Sequence, residues 1–389
     1  MSDPLRLVVL GMMGRAPFGG QTWLYLNWLR ALDRLGHEVW YVEDDIVWAY
    51  DPRRNAITDD FSYAVAHVRQ AMESIGLGDR WAFRFALEPR ICAGLAEREL
   101  DALYRSCDAL LNVVGATELR EAHLAAPYRV YVETDPVTVE LKYAAGVPTE
   151  IRLHEHHALA TYGENYGARD CGVPLNGHRF AKTRQPIDLE SWPAAFDAGA
   201  RAFTTIGNYR QDGSDVEWNG ETYRWSKHHE WQRFLSLPRR VQQEFDVALV
   251  VRDREDRHRL LRHGWRLSPP LPFTLDALGA YRDWFRRSRG EFTVAKDQNV
   301  RLRSGWFSER AACYLATGKP VVMQDTGFAN VLPTGRGLFA VSDEDEAADA
   351  IAAINADYRA HCLAARELAE DHFEGRAVAR RLLEDVGLA

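Results

Sequence analysis

Ser308-Glu309-Arg310 stands at the start of a helical run, Phe307 to Ala316, and brings together groups that suit an anion. A helix start leaves backbone N–H groups without acceptors and carries the positive end of the helix dipole. Ser308 is placed as the cap, and the Arg310 fork can grip a phosphate through two parallel hydrogen bonds. A small-residue turn, Asp325-Thr326-Gly327-Phe328, follows the apolar run Pro320–Met323. Its N–H groups suit phosphate or sugar hydroxyls, and Asp325 suits a hydroxyl donor, although a plain turn uses the same residues. Gly19-Gly20 either lets a ligand approach the backbone without meeting a Cβ or simply tightens the turn into the next helix.

Proton transfer calls for a carboxylate or an imidazole on a loop. Asp135 qualifies because it follows the apolar run Arg129–Glu133 directly, and His154 belongs to the cluster His154-Glu155-His156-His157. Read as a strand, that cluster puts His154 and His156 on one face. The His-x-His spacing lacks the remaining ligands of a metal site, so no metal is expected. Glu164, in a polar turn, is a further sugar contact or a plain surface acid. Loop aromatics at Trp48, Tyr50, Trp81, Tyr166, Trp192 and Trp225 suit stacking on sugars or planar groups, whereas Trp23 and Trp28 sit at helical core spacing.

These groups need a frame. The run Leu5–Leu10, a glycine loop, a helix from Gln21 to Leu35 and the run Glu38–Val42 form a strand–loop–helix–strand unit. The alternation continues through Ala109–Val114, Arg129–Glu133 and His157–Tyr162, pauses in the aperiodic stretch 171–193, and resumes at Ala202–Ile206. Later strands are expected at Phe245–Val251, Trp265–Leu267, Phe292–Ala295, Pro320–Met323 and Leu338–Val341. Helices are expected at Leu275–Arg287 and Phe307–Ala316, then at Glu344–Asn355, Ala356–His372 and Arg376–Val386. The expected fold is α/β, with two Rossmann-like, doubly wound parallel-sheet domains facing across a cleft, and residues 1–195 and 196–370 forming the two domains. Residues 371–389 are expected to form a helix crossing back to the first domain. GxGxxG is absent, so no dinucleotide fingerprint is claimed.

At 389 residues with 46% hydrophobic and 27% charged residues, the chain is too long for one ordinary core and too apolar for disorder. The net charge of −8 argues against a nucleic-acid partner. Within that acidic total, Arg239–Arg303 holds fifteen basic residues against nine acidic ones, a balance that suits a small anionic ligand. No run is long enough for a membrane span, and Met1-Ser2-Asp3-Pro4 lacks a basic leader segment. Five scattered cysteines form no CxxC pair and read as free thiols in the cytoplasm. With only Arg30 and Arg34 on its first helix, the chain is not expected to dock on membranes.

The segment Ser304–Val322, a helix running into Ala316-Thr317-Gly318-Lys319-Pro320-Val321-Val322, resembles the donor-binding region of GT-B glycosyltransferases. Pro17-Phe18-Gly19-Gly20, with the Leu32-x-x-Leu35-Gly36-His37-Glu38-Val39 helix end, is similar to that family's acceptor domain. The matches span about a sixth of the chain. Two departures stand out. The family's paired glutamates fall at Gly305 and Cys313, and the base position after the first strand holds Met12 and Met13. Glu309, one turn before Cys313, stands in for the ribose-binding acid. The resemblance implies a metal-independent, hexosyltransferase-like enzyme with no cofactor, using a nucleotide-diphosphate sugar and a small-molecule or glycan acceptor. It also implies a phosphate-binding cation at Lys227 or Arg210, with donor contacts from Ser308, Glu309, Arg310, Asp325, Thr326, Gly327 and Phe328. Gly19 and Gly20 would lie near donor or acceptor, and Asp135 or His154 would be the base. A sugar-nucleotide epimerase of the same fold, or a non-catalytic nucleotide-sugar-binding homologue, is the alternative.

Overall fold

The apolar runs pair into two sheets. The computed structural model describes residues 3–88 and 90–389; Met1 and Ser2, part of the segment read above as lacking a leader, lie outside them. The first sheet holds β1 (Arg6–Leu10), β2 (Glu38–Asp45), β3 (Trp81–Phe85), β4 (Ile91–Gly94), β5 (Ala109–Val113), β6 (Arg129–Glu133), β7 (Ala158–Thr161) and β8 (Ala181–Lys182). Their order is β8-β7-β6-β5-β1-β2-β3-β4, parallel except for the β3–β4 pair. The second sheet holds β9 (Ala202–Asn208), β10 (Glu244–Val250), β11 (Arg266–Leu267), β12 (Gly290–Thr293), β13 (Val321–Gln324) and β14 (Leu338–Val341). It runs β11-β10-β9-β12-β13-β14, parallel throughout.

Each sheet reverses its winding beside its own first strand, β1 or β9. In such sheets a crevice opens there, beyond the carboxyl ends of the strands. Central strands such as β1 and β5 are apolar and buried on both faces, which explains why they read as continuous hydrophobic runs.

Six helices position the site: α1 (Gly19–Asp33), α2 (Thr138–Ala145), α3 (Ala280–Arg287), α4 (Glu309–Ala316), α5 (Tyr358–His372) and α6 (Gly375–Asp385). The first of these is buried on nearly every side, as expected of a helix with apolar residues all round. It lies between the first sheet and the second unit. Trp23 Nε1 donates to the Ala277 carbonyl at 2.8 Å, and Trp28 Nε1 donates to the Tyr162 hydroxyl at 3.0 Å. One continuous core therefore runs from Leu7 and Val9 through α1 to Ala311, Tyr314 and Val321. The last helix, α6, returns to α1: Gly375 N–H donates to the Ile187 carbonyl at 2.9 Å, and a Cβ on Gly375 would stand 3.2 Å from Ala31 Cβ.

Several elements differ from the sequence reading. Residues Leu153–Glu155 form a single 3-10 turn, because β7 begins only at Ala158. The helix expected from Leu275 breaks at Asp276, whose carboxylate accepts the N–H groups of Gly279 and Ala280 at 2.8 Å each and starts α3 afresh. Helix α4 begins at Glu309 rather than Phe307. Tyr50 and Trp81 lie in strands, and Trp81 and Trp192 are buried in the core. No helix among the described residues is long and apolar enough to cross a membrane.

Candidate active site

Three cations converge where the carboxyl ends of the two sheets meet. Arg310, in the first turn of α4, sits at the switch point of the second sheet. Its Nη1 donates to the Ile206 carbonyl of β9 at 2.7 Å, and its Nη2 to Thr293 Oγ1 of β12 at 2.8 Å. Nε completes the fork by pairing with Glu291, a fully buried β12 residue that also accepts from Thr205 Oγ1 at 3.0 Å. The Arg310 fork is therefore occupied by the protein itself.

Lys227 presents the opposite case. It lies at the head of the short helix His228–Trp231, with Nζ 5.1 Å from the centre of the Trp306 ring. Among the described residues it has no hydrogen-bonding acceptor. Burial first, then the charges of Arg310 and Lys296, push its pKa down to about 7.

Lys296 follows β12 and is one of the residues the sequence reading missed. Its ammonium pairs with Asp135, which follows β6 in the other sheet, and lies 3.9 Å from the centre of the Trp225 ring. Burial lowers its pKa against the opposing pull of Asp135. Three cations thus face two carboxylates, Asp135 and Glu291, and among the described residues Lys227 is the member of the three without an acceptor.

The loop bearing Asp135 is held rigidly. Val137, two residues on, has φ of 91°, which a β-branched residue rarely adopts. Its N–H donates to Glu140 Oε2 and lies 3.0 Å from the Tyr166 hydroxyl. That hydroxyl lies 3.2 Å from Glu133 Oε2 and 3.1 Å from Glu140 Oε2. Burial, followed by the mutual repulsion of Glu133 and Glu140, raises the Glu133 pKa well above the ordinary range. Strain of this kind persists only where its surroundings over-determine it. Across the cleft, Trp306 Nε1 donates to the Thr134 carbonyl at 3.0 Å, and Gln298 Nε2 to Thr138 Oγ1 at 2.6 Å.

The remaining residues singled out from the sequence fall elsewhere. His154 precedes β7, so it lies at the amino end of the parallel sheet, whereas Asp135 follows β6 at the carboxyl end; β6 and β7 pair Val130 with Ala158 and Glu133 with Thr161. These two candidate bases are on opposite edges. Arg210 is clamped by both oxygens of Asp256. Ser308 occupies the cap position but makes no capping bond and is buried. The start of α4 is covered, since Gln185 donates to the Phe307 carbonyl at 2.6 Å and Asn27 of α1 to Glu309 Oε1 at 2.9 Å. Glu309 therefore faces α1 rather than the cleft. Burial raises its pKa to about 7.

Asp325 accepts from Arg303 Nη1 at 3.1 Å and from Gly327 N–H at 2.9 Å, and Thr326 Oγ1 donates to the Trp306 carbonyl at 2.5 Å. Gly327 has φ of 93°, and a Cβ there would lie 3.0 Å from the Arg303 carbonyl. Phe328 is core, packed on Phe307. The turn thus braces Trp306. A Cβ on Gly19 would fall 2.4 Å from Tyr281 Cδ2 of α3, and one on Gly20 would lie 3.4 Å from its hydroxyl. The glycine notch is filled by a side chain of the second unit. Glu164 pairs with Arg184 at 2.6 Å. Among the described residues no group of three His, Cys, Asp or Glu side chains is arranged to hold a metal ion.

No protein-family model matches the sequence, and no curated protein matches it either. Solved structures do match over the whole chain. Anabaena HepE, solved with UDP and glucose, superposes with a TM-score of 0.56 at 11% identity, covering 99% of this chain and 100% of its own. An α-glucosyltransferase solved with UDP and a 13-mer DNA gives 0.59 at 10% identity, with the same coverage. The chain has the GT-B fold. The same fold also extends to a putative UDP-N-acetylglucosamine 2-epimerase from Listeria monocytogenes, at a TM-score of 0.50 and 12% identity, covering 99% of this chain and 96% of that one. Asp135 and Lys296 join the carboxyl edges of the two sheets of this fold.

Proposed function

We propose that this GT-B chain is a glycosyltransferase that moves a hexosyl group from a nucleoside-diphosphate sugar to a small-molecule or glycan acceptor without a metal ion. The observation that carries the reading is the unpartnered Lys227 ammonium beside Lys296 and Arg310 at the switch point of the second sheet. A nucleoside-diphosphate sugar is a dianion and its departing diphosphate gains a further negative charge, and preorganised cations stabilise such developing charge more strongly than water does. Lys227 and Lys296 would take the phosphates. Arg310, fixed by Glu291, would add its field without leaving its pair. Asp135 would accept the proton of the attacking acceptor hydroxyl.

The acceptor side is supported by an apolar rim. Phe18, Ile46, Val47, Trp48 and Leu87 are all exposed large hydrophobic residues on loops beyond the carboxyl ends of β1, β2 and β3. Phe18 stacks on Tyr50 with ring centres 5.4 Å apart, and Ala86 N–H donates to the Asp45 carbonyl at 2.9 Å, joining the loops. An exposed patch of this sort suits an acceptor with an apolar or aromatic body. An epimerase, which releases its product from the donor alone, has no need of it.

Incubation with a panel of nucleoside-diphosphate sugars tests the proposal. Nucleoside diphosphate released in step with a glycosylated acceptor supports transfer. An epimer formed from donor alone supports the epimerase reading, and thermal stabilisation by UDP without turnover supports a binding protein.

A further inference from the structure

Asp135 and Lys296 are unlike partners. The Lys296 side chain is 7% exposed, while that of Asp135 is 38% exposed. The ammonium, lying over Trp225 and largely shielded from water, is stabilised by an anionic partner. The carboxylate can be solvated if it lets go. A partly exposed carboxylate holding a buried ammonium is easily exchanged for a stronger anion, because only the ammonium has a large desolvation cost to recover. The neighbouring Lys227 has no acceptor of its own, so a dianion drawn to it arrives beside Lys296 with twice the charge of Asp135. The Asp135 backbone need not move, since Val137, Glu140 and Tyr166 pin the loop from below.

We infer that Asp135 and the donor diphosphate compete for Lys296: the aspartate holds the lysine in the empty cleft, and the arriving diphosphate takes the lysine and releases the carboxylate toward the acceptor. This rests on the cluster being the donor site, as proposed above. The exchange makes Asp135 available as a base only once the donor is in place. Lys296 becomes the element that couples the two half-sites, one on each sheet.

Calorimetric titration with UDP distinguishes the possibilities. Asp135→Asn should tighten UDP binding by roughly 3- to 10-fold, because the competitor is gone while its hydrogen-bonding shape remains. Lys296→Met should weaken it about tenfold or more. In the Lys296→Met background, Asp135→Asn should change nothing. Lys296→Arg provides a second variant if the methionine chain melts early, and should keep the Asp135→Asn effect. Unchanged UDP affinity in Asp135→Asn overturns the inference, as does an equal tightening with and without Lys296, which would mark Asp135 as a general field and not a competitor. Failure of UDP and every other nucleoside diphosphate to bind the unaltered chain would overturn the donor-site reading itself.

Discussion

Two buried polar clusters lie at the carboxyl edges of the two sheets, and they are built on opposite plans. In the first sheet, Asp44 at the end of β2 is fully buried and completely partnered. It accepts from Arg84 at 3.0 and 2.6 Å, from His123 Nε2 at 2.8 Å and from the Tyr104 hydroxyl at 2.9 Å, with Arg120 as a further donor. Burial alone would raise the Asp44 pKa, but the bonds from His123 and Arg84 and the nearby charges hold it well below the ordinary carboxylate range. In the second sheet, three cations share two carboxylates and Lys227 is left with none. A closed network rigidifies its surroundings, whereas an open, more exposed one can be completed by an anion from outside. The contrast separates two plans built from residues of similar type.

Breaking the closed network should have the largest effect on stability. Asp44→Ala strands Arg84 and Arg120 and should cost about 4–5 kcal/mol in denaturant unfolding, with UDP affinity unchanged in the protein that remains folded. Arg310→Ala falls between the two plans. It leaves Glu291 buried beside an empty position and should cost about 3 kcal/mol, detectable as a lowered denaturant midpoint. Glu309, facing α1, sharpens the comparison by pH. Its folded pKa of about 7 lies above the ordinary 4.5, so the folded chain binds the extra proton between those values and loses stability as pH rises through that window. Glu309→Gln removes this loss. The variant should match the parent near pH 4.5 and exceed it by up to about 3 kcal/mol at pH 8. Equal pH profiles of melting temperature would show that Glu309 is solvated.

Much of this frame is legible in the chain itself. Parallel strands buried on both faces give apolar runs, so β1, β5, β6, β9 and β13 stand out, as does α1 with hydrophobic residues on every side. The site was harder to read, because its members meet only through topology. His154 looked equivalent to Asp135 in loop position. In a parallel sheet, however, a residue before a strand and a residue after one lie at opposite edges. Lys296 carried no motif at all, although it follows an apolar strand next to the switch point. One signal was available. Glu291 lies within the short buried strand Gly290–Thr293, and a buried carboxylate there demands a cation, which turns out to be Arg310. That demand also explains why Arg310 is held by the protein.

The smallest effect, and the most diagnostic, concerns Lys227. With a pKa of about 7 in the empty cleft, it is charged below neutrality and increasingly neutral above it. A bound diphosphate favours the charged form, so binding above pH 7 must take up a proton. Affinity should then fall by up to about tenfold per pH unit, or roughly 1.4 kcal/mol, until the pKa of the complex is reached. On the acid side the terminal phosphate of UDP gains its second charge near pH 6, so affinity rises up to that point. The outcome is a maximum between about pH 6 and 7. Calorimetry at pH 8 in two buffers of different ionisation enthalpy should report close to one proton taken up. Lys227→Met should weaken UDP binding at pH 6.5, abolish the proton uptake and flatten the alkaline limb, yet keep the acid limb, which belongs to the ligand. It should leave the melting temperature unchanged or raised, since a half-buried ammonium without an acceptor among the described residues is removed. If the alkaline limb survives in Lys227→Met, the titrating group lies elsewhere and the open network is not completed at Lys227.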